Sequence, residues 1–379
     1  MSTLQTNPPY RWTYRGDHKI LVAAIGFGIG PKIAAENLLI DLKAAKEDEP
    51  IEWHDTGLEQ ILPLLEVKLL LNFGVIAPLP EFKAQHRVWV DCVDWLRTTV
   101  PAHVQAYDLL LREAFFESPP GGDRGDLAKW HAVQPILRIP KRASTPDHDL
   151  ILMSFGGIAT PYSTPVHATD MPMAFLRGVC QFLDDVLQKR VVAFLPDSLL
   201  DDCEHAGIMH ERLDLRSLDR KVFLEAMTRC GLLVCQPGLY TPFEAMNMKV
   251  PFALTYPMSF TQDRQAAMFR KMGVECCECD WVNSNNPSGA PTEDIEAVEK
   301  TWFTDSARAW EKKSPERLSN TVESWLRNLV EKSRFPGASP KSRKKEMAAF
   351  FVKKILGKDP PLQPSLFDPK DSPDAPIQP

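Results

Sequence analysis

Residues Gly231–Gly273 read GLLVCQPGLYTPFEAMNMKVPFALTYPMSFTQDRQAAMFRKMG, and the way this stretch is punctuated predicts the fold. Leu232–Cys235 is a short apolar run of the length of a buried strand. Pro237 and Gly238 stop it, and Gly238 lets the backbone approach a ligand closely. Thr241 and Pro242 predict a helix start, the hydroxyl as cap and the proline in the first turn, with Glu244 early in that helix. Pro251–Tyr256 predicts the next strand, Pro257 closes it, and Gln262–Met272 predicts another helix. This order places polar groups where strands end, the edge at which open α/β sheets bind ligands.

A chain of 379 residues predicts two domains, each large enough to bury a core. Apolar residues make up 44% and charged residues 25%, the balance of a globular protein rather than a disordered or fibrous one. A formal net charge of −6 argues against a nucleic-acid-binding surface as the organising feature. No apolar run is long enough to span a bilayer. Met1–Asp17 lacks the apolar centre of a signal peptide, so a cytoplasmic protein is expected. The eight cysteines stand singly except for Cys276, Cys277 and Cys279. That cluster lacks the paired C-x-x-C halves of a zinc site, and the thiols read as structural.

Residues 1–17 are polar and proline-containing and predict a flexible arm. Lys19–Ile25 predicts the first strand; Gly26, Gly28 and Gly30 alternate after it, and Pro31 opens a helix to about Lys46. The amides of such a loop suit an anion or a substrate. Its spacing is one residue short of the dinucleotide fingerprint, for which Glu52 or Asp55 would be the acidic partner. A tight strand-to-helix turn is the other reading. Gly57–Phe73 predicts a helix interrupted at Pro63, and Arg87–Asp91 a strand with Asp94 just beyond it. Carboxylates at the carboxyl end of a strand are candidates for a general base, so Asp91 and Asp94 are the catalytic candidates, with a helix cap as the plainer alternative. Residues 101–117 predict a helix, 118–126 a loop, and Val133–Ile139 the last strand of a first domain spanning 18–140.

After the polar segment Pro140–His148 the pattern restarts, with a strand from Asp149 leading to Ser154, Phe155, Gly156 and Gly157. A helix over Met173–Gln188, a strand over Arg190–Pro196 and a helix over Leu218–Cys230 follow. His205 and His210 lack metal-ligand spacing in the acidic stretch 200–216, and His167, alone in a loop, is expected at the surface. Helices near 292–302 and 315–334 complete a second domain at 149–335. Residues 336–357 form a basic amphipathic segment, suited to a membrane surface or anionic partner, or simply solvated. The tail 358–379 holds seven prolines and cannot bury enough apolar surface to order itself.

The succession Gly238, Thr241, Glu244-Ala245, Pro251, Gln262 and Gln265-Ala266 resembles the nucleotide-binding half of the GT-B glycosyltransferases. The likeness extends to the UDP-glycosyltransferases and the bacterial peptidoglycan N-acetylglucosaminyltransferase, and more loosely to cytosylglucuronate synthases. It covers about forty residues. It implies an α/β fold of two Rossmann-like domains in the GT-B arrangement, with an interdomain cleft. By this resemblance Glu244 holds the donor ribose, Gly238 to Thr241 the diphosphate, and Gln262, with Gln265 beside it, the sugar. Ser154, Gly156 and Gly157 are similar to the opening of the family's second domain, where amides and hydroxyls stabilise the departing diphosphate. Gly26, Gly28 and Gly30 correspond to the acceptor-side loop. The sequence departs from the family at Gln236-Pro237, where His-Gly is frequent, at Thr261, where Asp precedes the Gln, and in lacking a histidine in the first loop.

The resemblance implies transfer of a sugar from a nucleoside-diphosphate sugar, UDP-linked, to a small-molecule or nucleoside/base acceptor. No Asp-x-Asp stands at a predicted strand end, so a metal-independent reaction is expected, with the nucleotide sugar as co-substrate and no further cofactor. A UDP-sugar epimerase of the same fold, a nucleotide-binding protein without catalysis and an NAD-dependent dehydrogenase are the rival readings. Gln363–Phe367 is similar to the short peptide with which bacterial proteins bind the replication sliding clamp, which makes that clamp a candidate partner.

Overall fold

The computed structural model describes residues 10–25, 30–46, 49–54, 64–75, 79, 82–93, 96, 102–116, 130–156, 160, 162–278 and 295–331. Two sheets organise these residues. The first contains β1 (Tyr10–Arg15), β2 (Ile20–Ile25), β3 (Val67–Phe73), β4 (Ala84–Asp91), β5 (Leu109–Glu113) and β6 (Trp130–Val133), side by side in chain order. β1 runs antiparallel to β2, and β2 to β6 are parallel. Helix α1 (Gly30–Asp41) follows β2 and packs on β2 and β3.

The second sheet is wholly parallel. Its strands are β7 (Asp147–Ser154), β8 (Arg190–Leu195), β9 (Leu213–Ser217), β10 (Cys230–Cys235) and β11 (Phe252–Leu254), in the order β11-β10-β7-β8-β9. Helices α2 (Met171–Asp185), α3 (Asp197–His205), α4 (Arg220–Arg229), α5 (Tyr240–Met248) and α6 (Phe260–Lys271) alternate with these strands, and α7 (Ile295–Trp310) and α8 (Pro315–Glu331) close the described chain. Both halves are thus Rossmann-like α/β units, as expected.

The core of the second half lies between this sheet and the α2–α8 pair, with Met153, Phe175, Val179, Val191, Val322 and Leu326 all buried in it. Gly178 sets how closely the two helices approach. A Cβ there would stand 2.4 Å from the Ser319 carbonyl oxygen and 2.9 Å from Val322 Cβ. One turn away the Ser319 hydroxyl donates to the Ala174 carbonyl at 2.8 Å.

The halves meet through aromatic rings. Phe115 and Phe116, just past β5, pack edge-on against Tyr240 and Phe243 of α5 and Phe269 of α6, with centroid separations of 5.0–5.5 Å. In the segment entering the second half, the Arg142 guanidinium donates to the carbonyls of Lys249 and Cys230.

Four sequence expectations are corrected. Tyr10–Arg15 belongs to a strand rather than a loose arm, because Trp12 is buried and each residue of β1 pairs with β2. Val67–Phe73 is β3 rather than the end of a helix; an apolar run buried on both faces of a parallel sheet carries no periodicity that separates the two. Residues 101–117 hold a short 3-10 turn at Ala102–Ala106 and then β5, for the same reason. The stretch 200–216, for which the sequence predicts no element, contains most of α3 and β9, and the polar residues of β9 suit a sheet edge. The strand expected over Val133–Ile139 ends at Val133, and residues 134–140 are irregular. Gln363–Phe367 and the basic segment lie outside the described residues.

Replacing Gly178 with alanine should destabilise the protein by about 1–3 kcal/mol, because the α2–α8 contact is backbone on backbone and has nowhere to yield. Urea unfolding monitored by circular dichroism measures this as a lowered midpoint at unchanged slope.

Candidate functional site

Along the second sheet the chain moves outward in one direction from β7 through β8 to β9, and in the other through β10 to β11. The strand order therefore reverses between β7 and β10. The crevice at the carboxyl ends of these two strands is where open α/β sheets bind ligands. Among the described strands of the first sheet the order never reverses.

Ser154 and Cys235 end the two strands as register partners. Ser154 is buried, and the chain continues through Phe155, whose amide donates to the Phe194 carbonyl at 3.0 Å, to half-buried Gly156. Gly157 lies outside the described residues. On the other side Gln236 and Pro237 are buried and Gly238 is half-buried, its amide turned onto the Gln236 carbonyl at 2.7 Å.

Helix α5 starts immediately after. It begins at Tyr240, so half-buried Thr241 is its second residue and not the cap that its hydroxyl predicts. The N-cap is Leu239, which gives no side-chain cap, and the first turn carries no acidic residue. Among the described residues the amides of Tyr240 and Thr241 have no hydrogen-bond acceptor. These donors and the helix dipole favour an anion at this end.

Glu244, one turn into α5, is fully buried. Its Oε1 is paired with the guanidinium of Arg220, the first residue of α4, while its Oε2 has no hydrogen-bond partner among the described residues. Burial pushes its pKa up to about 7 against the lowering effect of Arg220.

Tyr240 ties this end of the crevice to the first half. Its hydroxyl donates to Glu113 Oε2 at 2.6 Å, and its ring lies where a Cβ on Gly30 would come within 2.6 Å of it. Glu113 ends β5 and is buried; its Oε1 accepts from the Ile136 amide at 2.7 Å. Burial drives the Glu113 pKa up to about 7, helped by nearby Asp91 and opposed by the two hydrogen bonds. The sequence pattern predicts a helix over this segment and so hides Glu113, which ends a strand. The criterion that selected Asp91, a carboxylate at the end of a strand, would have selected it too.

Asp91 ends β4, as predicted, and is buried, with Oδ1 accepting from the Val93 amide at 2.9 Å. Asp94, Gly26 and Gly28 lie outside the described residues. Gly30 is the first residue of α1.

Gln262 and Gln265 are buried in the first half of α6. Gln262 Oε1 accepts from the Met258 amide at 2.8 Å, and Ser259 caps the helix by accepting from the Gln262 amide. His167 is buried rather than at the surface: Thr164 Oγ1 and Ser306 Oγ lie 2.8 and 2.7 Å from its two ring nitrogens, and burial lowers its pKa to about 4. Cys276 is buried, with its thiol pushed up to about 12, which suits a structural role. No helix among the described residues is long and apolar enough to cross a membrane.

No family model matches the chain, and no curated protein matches it. Among solved structures it is similar to the kitacinnamycin glycotransferase, with 12% identity, 80% of this chain and 81% of that one covered, and a TM-score of 0.37. It is similar to MurG of Acinetobacter baumannii at 11% identity, covering 80% and 79%, with a TM-score of 0.35. A putative UDP-N-acetylglucosamine 2-epimerase from Listeria monocytogenes matches at 12%, covering 80% and 81%, also with a TM-score of 0.35. Similarity this distant says nothing of ligand or reaction, and the fold assignment rests on the sheet topology itself.

A carboxylate whose pKa is raised on folding makes the native state bind the extra proton, so its ionisation costs stability. The stability of the wild type relative to Glu113→Gln should therefore fall as pH rises from the unfolded value near 4.5 through about 7, and level off above. Chemical denaturation of both proteins across that range measures it; a difference independent of pH would show that Glu113 titrates normally.

Proposed function

We propose that this chain is a glycosyltransferase that moves a sugar from a nucleoside-diphosphate sugar, UDP-linked, to a small-molecule or nucleoside/base acceptor, with its two halves in the GT-B arrangement. The observation that carries the proposal is the crevice between β7 and β10, with the uncapped α5 amides and the half-free carboxylate of Glu244 beside it. The resemblance of Gly238, Thr241 and Glu244 to the donor-binding residues of that family falls on this same crevice.

In this reading the diphosphate lies against Gly238, the α5 residues Tyr240 and Thr241, and the turn that follows Ser154 at Phe155–Gly156. Glu244 Oε2 accepts a ribose hydroxyl. The acceptor hydroxyl attacks the anomeric carbon, the bond from that carbon to the diphosphate oxygen breaks, and its electron pair leaves with the diphosphate. The α5 amides and helix dipole face the charge that develops there. The proton released by the acceptor goes to a carboxylate of the first half, for which Asp91 and Asp94 remain the candidates.

A second reading has a specific observation in its favour. Asp91 Oδ1 and both Glu113 oxygens are engaged within the protein, which also suits a nucleotide-binding protein without turnover. Product formation across a panel of acceptors separates the two readings.

Glu244→Ala should weaken UDP binding tenfold or more, about 1.4 kcal/mol, as measured by isothermal titration calorimetry on protein shown to be folded. Unchanged affinity would remove Glu244 from the site and with it the donor assignment.

A further inference from the structure

Two helix N-termini flank β10 and β11 at the carboxyl edge of the second sheet, and they differ. That of α5 has amides to spare. That of α6 has none. The Phe260 amide donates to Glu299 Oε2 at 2.9 Å and the Thr261 amide to Glu299 Oε1 at 2.9 Å. The Gln262 amide donates to Ser259 Oγ at 3.2 Å and the Asp263 amide to the Ser259 carbonyl at 2.9 Å. The amides of Phe260, Thr261 and Gln262, which precede the first intrahelical donor Asp263, are therefore all satisfied.

The side chains there are occupied as well. The Thr261 hydroxyl donates to Glu299 Oε1 at 2.7 Å and lies 3.0 Å from the Ser259 hydroxyl. Gln262 holds the Met258 amide. Glu299 reaches across from α7 and is fully buried. A buried carboxylate already sits where a phosphate or a sugar hydroxyl would have to bind, so a ligand would have to break these bonds and leave that carboxylate unpaired.

We infer that Glu299 closes the α6 end of the crevice and limits recognition to the nucleoside diphosphate. The transferred sugar is then held through its bond to the diphosphate, and its hydroxyls are not read by Thr261 or Gln262. This rests on the nucleotide-sugar reading above and narrows it to a donor site tolerant of the sugar's stereochemistry.

Calorimetric titration of the full chain with UDP, UDP-glucose, UDP-galactose and UDP-N-acetylglucosamine tests the inference. The four affinities should agree within about threefold, and Thr261→Val and Gln262→Ala should leave each of them within about twofold. A UDP-sugar binding ten times more tightly than UDP or than another sugar would overturn it. So would a fivefold loss of UDP-sugar affinity in either variant with UDP binding unchanged. Glu299→Ala, where it folds, should open a difference of fivefold or more between UDP and at least one UDP-sugar; a folded variant without that difference would remove Glu299 from the role. Where it does not fold, the ligand panel with Thr261→Val decides. Failure of UDP itself to bind is a separate outcome, because it would sink the nucleotide-sugar reading and this inference together.

Discussion

The hydrogen bond from Tyr240 to Glu113 joins residues 127 positions apart and fixes where α5 begins. Tyr240 is the first residue of that helix, so a side chain of the first half holds the turn whose amides face the crevice. Gly30 accommodates the Tyr240 ring only because it lacks a Cβ, and Phe115 packs edge-on against the same ring. A shift of one half against the other would therefore be felt first at the α5 N-terminus. The proposed diphosphate position and the contact between halves are parts of one construction.

Glu113, Glu244 and Glu299 are all buried, and their hydrogen bonding separates their roles. Glu299 accepts three hydrogen bonds and serves as a helix cap. Glu113 has one donor for each oxygen and serves as a bridge. Glu244 has an ion pair on one oxygen and no partner on the other among the described residues. Burial raises the proton affinity of all three, so a perturbed titration alone would not tell a ligand-binding group from a structural one. Counting the donors on each oxygen does.

The second half was legible in the sequence because glycine and proline mark its strand ends. Pro237 and Gly238 bound β10, Pro257 follows β11, and Ser154 begins the turn after β7. The first half was harder to read. β3 and β5 are apolar runs buried on both faces, and such runs have no period that distinguishes a strand from a helix. Losing β5 lost Glu113, whose position is informative only once it is known to end a strand. β9 is polar because it lies at an edge. The capping of α6 by Glu299 was out of reach for another reason: its partners lie 38 and 39 positions away, and no local pattern in α7 announces them. Thr241 shows a local rule overridden, since the contact of Tyr240 with Glu113 starts the helix earlier than the hydroxyl alone would predict.

The unpaired oxygen of Glu244 has a consequence for the stability of the fold. A buried carboxylate oxygen without a donor costs free energy, and a hydroxyl donor placed against it would recover part of that cost. Binding to the folded chain alone then shifts the folding equilibrium by mass action. If Glu244 holds a ligand as proposed, how long the protein lasts would depend on the ligand concentration around it as well as on its own packing.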